Sequence, residues 1–399
     1  MAGRAVQGIG AALVMPASIE VLAAHAPPAG ASAGFRARGI VFAVGFGIGP
    51  LLGGVLTDDV SWRALFLVEI AGLVVAGLLA LPVLRATARF PTAPTRDFLG
   101  AGLAAALVFL VVFGASRSRL WGWWSAPMAV LVLVIAGLGT WLVRIEGRTA
   151  HPLLHRRLLR DRGVLGANVA TLAASIGMIG LVYFFGLFAL SASTFDSPPL
   201  AVALILVPFT VAVIGFSLVA RFLARRLGPA APVMVGLGAS AVGFAWLSTV
   251  GSATTEPQLI VPLILCGVGA GIANAGLIAP AVMTDLRRVD EAAGLLSLTR
   301  YLGSALAIAL GTASYLTVVV AGAPTAAGGD VQSEAVGGAA FRHAASVLHD
   351  DLRRPFEAAF KANTVQAFAA TMRLAAIVVT VLALVSAALL ASGRAERPT

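Results

Sequence analysis

The sequence is poor in almost everything that soluble chemistry needs. Only 12% of its 399 residues are charged, about half the ~25% of an average soluble domain. It has one cysteine, Cys266, so no disulfide can form within the chain. The five histidines and that cysteine show no metal-ligand spacing; His151 and His155 are four apart, but Pro152 lies between them in an Arg-rich loop. No nucleophile–base arrangement and no GxxxxGK[ST] phosphate loop occurs, which argues against an enzyme and against ATP as a direct energy source. No cofactor is expected.

What remains is apolar. Hydrophobic residues make up 59% of the chain, against about 45–50% in a soluble domain. That surplus has no place to hide in water, so the expected class is an all-α polytopic membrane protein lodged in a lipid bilayer. Eleven apolar runs can be counted, near residues 4–25, 39–57, 64–84, 99–115, 126–143, 164–191, 199–220, 230–250, 258–283, 292–320 and 370–392. Most are long enough to cross a bilayer core as helices. The net charge of +10 is not gathered on one face, so nucleic acid is not an expected partner. Most Lys and Arg fall in alternate connections, near residues 36, 89, 150, 225 and 288 and in the C-terminal tail. By the positive-inside rule those connections are cytoplasmic, and so is the C-terminus.

One stretch stands out, Gly45-Phe46-Gly47-Ile48-Gly49-Pro50-Leu51-Leu52-Gly53-Gly54. On a helix, Gly45, Gly49 and Gly53 form one bare stripe, and Gly47 and Gly54 form another. Bare stripes let helix backbones approach closely in lipid. Pro50 removes one helical hydrogen bond and bends the segment. The core GxxxGPxxGG resembles motif C, the antiporter motif of drug/proton antiporters in the major facilitator superfamily. Gly45, Gly49, Pro50, Gly53 and Gly54 complete it. Arg36 stands where the family has a further glycine, which predicts a shortened or irregular start to this helix.

Further elements follow in the family's order. Arg4 to Ala12 resembles the RxxQGxGxA motif of the helix preceding motif C. A competing reading of the first run is a signal peptide ending at Ala24-His25-Ala26, but Pro16 and Glu20 interrupt it. Ser61 to Phe66 resembles the WRWxF element, with Glu69-Ile70-Ala71 in place of the usual Asn-x-Pro. Asp97 to Gly100 resembles the Asp-x-x-Gly start of the next helix, and Trp121, Trp123 and Trp124 sit at an outer turn. Glu146-Gly147-Arg148 and Pro152-Leu153-Leu154 resemble the cytoplasmic linker. Ser197-Pro198-Pro199, the glycines 267, 269 and 271, and Arg300-Tyr301-Leu302-Gly303 resemble later helices.

The resemblance implies the major facilitator fold with about eleven transmembrane helices, numbers four to fourteen of a fourteen-helix plan. It implies a remnant N-terminal bundle at 1–85, an inserted helix pair at 86–145 and a basic cytoplasmic linker at 146–163. A C-terminal bundle follows at 164–399, with a long outer loop at 321–369. It further implies a multi-pass protein of the plasma (inner) membrane that exports small apolar or cationic compounds in exchange for protons. The alternatives are a shortened, non-transporting remnant and a membrane scaffold.

Charged and polar groups inside the spans are the site candidates, because burying them in hydrocarbon is costly. Arg4 and Gln7 fall on a proton and substrate pathway by resemblance, although Arg4 can also snorkel to the interface. Glu69 is either a proton-exchanging acid or a shallow carboxylate paired with Arg63. Arg300 either anchors to headgroups or gates. Asn168 and Asn274 are either interhelical hydrogen-bonding groups or ligand contacts.

Overall fold

The computed structural model describes residues 2–25, 31–87, 98–148, 160–191, 198–228, 230–251, 254–283, 289–321 and 350–395. Most of the basic linker, the 88–97 connection with Asp97, and residues 322–349 of the expected outer loop lie outside them. The described residues form helices and no strand.

The helices are α1 (Ala2–His25), α2 (Ala31–Asp59), α3 (Trp62–Thr87), α4 (Phe98–Trp121), α5 (Ala126–Glu146) and α6 (Arg162–Ala189). They continue as α7 (Pro199–Ile205), α8 (Val207–Leu227), α9 (Ala230–Leu247), α10 (Glu256–Met283), α11 (Val289–Ala321) and α12 (Asp350–Ala395). Among the described residues, eight are long and apolar enough to cross a bilayer: α3, α4, α5, α6, α8, α9, α11 and α12. The chain is therefore a multi-pass, all-α membrane protein.

Each apolar run became a helix, and one became two. The run at 199–220 splits at Leu206, which sits between α7 and α8 just ahead of Pro208. A proline in the first turn has no N–H to carry the preceding helix onward. Local chemistry marks other ends. Asp161 caps α6, its carboxylate accepting from Gly163 N at 2.8 Å and Val164 N at 3.1 Å. Ser125 caps α5, and Gly122 supplies the left-handed backbone (φ 77°) of the tight turn after α4. Trp123 and Trp124 are exposed at that turn.

Two expectations about length need correction. Helix α2 starts at Ala31 and contains Arg36, so it is not shortened where the family glycine is missing. A charged arginine costs little helix propensity, and a glycine gives none, so the replacement favours helix at this point. Helix α12 starts at Asp350, so residues 350–369 of the expected outer loop are helical. They are held by packing: Phe360, Val365 and Phe368 are buried in the main core.

That core lies in α6–α12. Helix α10 packs between α8 and α9, and α12 packs on α6, α9 and α11. Phe184, Phe185, Phe188, Phe209, Phe244 and Phe368 are fully buried there. The rings of Phe188 and Phe368 stack at 4.4 Å between centroids. Glycine spacing lets α10 sit that close on both sides. Gly267 and Gly271 abut the α8 backbone at Phe209 and Val213, and Gly269 between them abuts Gly236 and Ser240 of α9. Residues two apart on a helix point to nearly opposite sides, which suits a helix sandwiched between two others.

The front helices are sparsely buried. No residue in the apolar window of α3 is buried. Helix α2 touches α7 and α8, α1 touches α11, and the α4–α5 pair rests on α11 through α4.

Candidate functional site

Helix α1 carries Arg4 and Gln7 three residues apart, hence on one face. Helix α3 carries Phe66 and Glu69 with the same spacing. The two faces meet. Arg4 Nη1 donates to Gln7 Oε1 at 2.8 Å, and Gln7 Nε2 donates to Glu69 Oε1 at 2.8 Å. The Arg4 guanidinium also lies over the Phe66 ring, 5.1 Å from its centroid. All three polar residues are exposed in this chain. Arg63 is turned away from Glu69, with its guanidinium 4.5 Å above the Trp62 ring. Of the two readings of Glu69, the one that pairs it with Arg63 is not what the geometry shows: its carboxylate accepts from Gln7.

The chemistry of the three groups gives the chain a direction. Arginine only donates and an ionised carboxylate only accepts; an amide does both. Gln7 therefore couples the charge of Arg4 to that of Glu69 without direct contact between them.

The other candidates lie elsewhere. Asn168 is buried in α6; its Nδ2 donates to Val164 O at 2.9 Å and its Oδ1 accepts from Thr299 Oγ1 of α11 at 2.8 Å. It has the geometry of an interhelical tie. Arg300 follows Thr299 on α11 and is half-buried. Asn274 falls in α10, and its side chain is outside the described residues. The next residue on α11, Tyr301, donates its hydroxyl to Ala11 O of α1 at 3.1 Å. Helix α1 is therefore joined to α11.

Motif C shows an unexpected division of labour. A Cβ added at Gly45, Gly49 or Gly53 would meet nothing within 4 Å. One added at Gly47 would collide with the Thr210 methyl group, and one at Gly54 would lie 2.7 Å from Leu200 Cα. The close approach to α7 and α8 thus uses the stripe of Gly47 and Gly54. Phe46 packs edge-on against Phe209 beside it. At the end of the same helix, Asp58 Oδ2 accepts from Leu200 N at 2.8 Å in the first turn of α7. Helix α2 continues through Pro50 to Asp59.

Sequence reasoning did not single out Asp58 or Thr299, and it named Tyr301 only as part of a motif. Asp58 lies at the end of an apolar run, where charges are ordinary, and a threonine hydroxyl in a span is too common to single out. Among the described residues, no group of three or more His, Cys, Asp and Glu is arranged to hold a metal.

Comparison with known proteins assigns the architecture. Residues 1–308 match the Major Facilitator Superfamily. The chain is 30% identical over 323 residues to the cephamycin export protein CmcT of Amycolatopsis lactamdurans, covering 78% of this chain and 65% of the relative. It is 29% identical over 327 residues to the drug efflux pump JefA of Mycobacterium tuberculosis, covering 77% and 61%. It is 26% identical over 272 residues to the tetracenomycin C resistance and export protein of Streptomyces glaucescens, covering 67% and 49%. The chain spans about half to two thirds of the length of these relatives. These similarities agree with the drug/proton antiporter branch to which motif C points. With most of its length matched, the chain belongs to the major facilitator superfamily.

Proposed function

We propose that the chain is the membrane body of a proton-coupled efflux transporter for small apolar or cationic compounds. The carrying observation is the chain of hydrogen bonds from Arg4 through Gln7 to Glu69, which ties two front helices through groups that are costly to place in hydrocarbon. Relatives named for cephamycin export, drug efflux and tetracenomycin C resistance support the substrate class. In this reading Glu69 is the proton carrier, and Arg4 and Gln7 hold and sense its charge. Transport proceeds by alternating access, with the α1–α3 end and the α6–α12 bundle rocking about a site between them. The contacts of Gly47, Gly54 and Asp58 with α7 and α8 close one side and part in the other state. The α4–α5 pair is the insertion between the two halves. Arginine-rich connections set the orientation in the plasma membrane, with the C-terminus in the cytoplasm.

The test is drug-driven proton movement in proteoliposomes. The wild-type protein is expected to acidify or alkalinise the lumen on addition of a cationic dye gradient, and Glu69→Gln is expected to abolish that signal while leaving the protein folded. Full coupling in Glu69→Gln rejects the assignment.

One observation favours a second reading, a non-transporting membrane scaffold: α3 is exposed along its apolar window, as is the hydrogen-bonded triad. Purified protein that binds no dye and moves no proton supports that reading.

A further inference from the structure

A cavity lies between α6, α11 and α12, and no residue of the proposed pathway lines it. Counting the space at its open side it measures about 420 Å3. Its existence follows from small residues where three helices converge. Gly180 of α6 faces Ala307 of α11, and a Cβ added at Gly180 would meet only the Ala307 methyl group, at 3.6 Å. Gly311 sits against the Phe184 ring, and Ala375 leaves room on the α12 side. Larger aliphatic residues at these positions would fill the space.

The lining excludes most ligands. Its one side-chain polar atom is the Thr371 hydroxyl, which already donates to Ala367 O at 2.8 Å. No titratable group lines it. Water gains nothing in such a space, since it needs two to four polar partners. A charged compound would lose its hydration there with no counter-charge. Only hydrocarbon fits the chemistry. The walls can adapt to one: Met372 is flexible and polarizable, and Phe184 offers a ring face.

Depth decides the source. The lining residues of α12, Thr371 to Val378, fall at the middle of its apolar span, Glu357–Ser392. Those of α11, Leu306 to Gly311, fall at or just past the middle of Gly294–Val318, and those of α6, Ile176 to Phe184, run from the middle of Arg162–Ala189 toward its end. Within these apolar spans a bilayer presents acyl chains rather than headgroups. Ile176, Leu306, Leu374 and Val378 are only half-buried, so the cavity is not sealed from its surroundings.

We infer that this cavity is an acyl-chain site, in which the tail of a membrane lipid wedges between α6, α11 and α12. The inference requires only that these helices span the bilayer, and it holds whether or not the chain transports. A lipid tail there supports the packing of α12 on the bundle and is displaced if the three helices close on one another.

The test uses the 399-residue protein in vesicles of phosphatidylglycerol and phosphatidylethanolamine. A fraction of the phosphatidylglycerol carries a diazirine near the end of one acyl chain. After irradiation, adducts are mapped by peptide mass spectrometry. Adducts are expected on Leu306, Leu310 and Met372, besides those on the exposed face of α12 at Val381 and Leu384. In Ala375→Phe, which fills the cavity, the first set is expected to vanish and the second to persist. Gly180→Ala is the milder filling variant, and a partial loss confined to the first set is expected. Persistence at Val381 and Leu384 reports that the variants are folded and inserted. Should Ala375→Phe not insert, Gly180→Ala decides alone. Equal labelling of Leu306 and Met372 in wild type and the decisive variant overturns the inference. So does wild-type labelling confined to the exposed face.

Discussion

At Gln7 the direction of two hydrogen bonds is fixed by chemistry. The arginine beside it has only donors and the glutamate oxygen opposite accepts, so only a group with both functions can join them. Gln7→Leu removes both functions at once. We expect it to weaken drug-driven proton movement as Glu69→Gln does, measured in the same vesicles, whereas Gln7→Asn retains the groups on a shorter stem and falls between. Asn168 gives a stability counterpart. Its removal leaves Thr299 without its acceptor in a buried setting. Asn168→Ala is expected to destabilise the bundle by about 1–2 kcal/mol. A double-mutant cycle with Thr299→Val is expected to show a coupling near 0.6 kcal/mol by reversible unfolding in mixed micelles. Arg4, Gln7 and Glu69 were each legible in the sequence, because polar groups stand out in apolar runs. Their meeting was not, since 62 residues separate Gln7 from Glu69 and no periodicity encodes that pairing.

At the scale of the helix, glycine decides which surfaces touch. Gly54 abuts the backbone of Leu200, and a backbone cannot step aside as a flexible side chain can. Gly54→Leu is therefore expected to cost about 1–3 kcal/mol of overpacking, seen as a lower midpoint in detergent thermal unfolding. Gly45→Ala faces open space and is expected to be neutral or to stabilise α2 by about 0.5–1 kcal/mol through helix propensity. Both stripes of motif C were visible in the sequence. Which stripe packs was not, because both are bare and only the position of α7 and α8 distinguishes them. The break at Leu206 was half-legible: Pro208 stands in the run, but a proline in an apolar run can bend a helix or divide it. The helical start of α12 was obscured by composition, since residues 350–369 carry charges that read as loop until their apolar face is buried on the core.

For the whole molecule, hydropathy alone established the class. An all-α bundle was legible because every backbone polar group in lipid must be satisfied within its own helix. Family membership came from motif order, which no single motif could supply. Which residues of the helices are buried was not legible, because front and rear helices are equally apolar and only packing separates lipid-facing from buried residues. Orientation yields a direct prediction. With Cys266, the one thiol, replaced by Ala, a cysteine introduced at Ser392 near the end of α12 is expected to react with a membrane-impermeant maleimide only in inverted vesicles. Reaction in intact cells would reverse the topology and move the arginine-rich connections outside.

The most direct test of proton-coupled export is made on the purified 399-residue chain in vesicles holding a pH-sensitive dye. Imposing a gradient of a lipophilic cation is predicted to drive counter-movement of protons in the wild type and none in Glu69→Gln. Proton movement unchanged by Glu69→Gln, or absent from well-folded wild-type protein that also binds no cation, contradicts it.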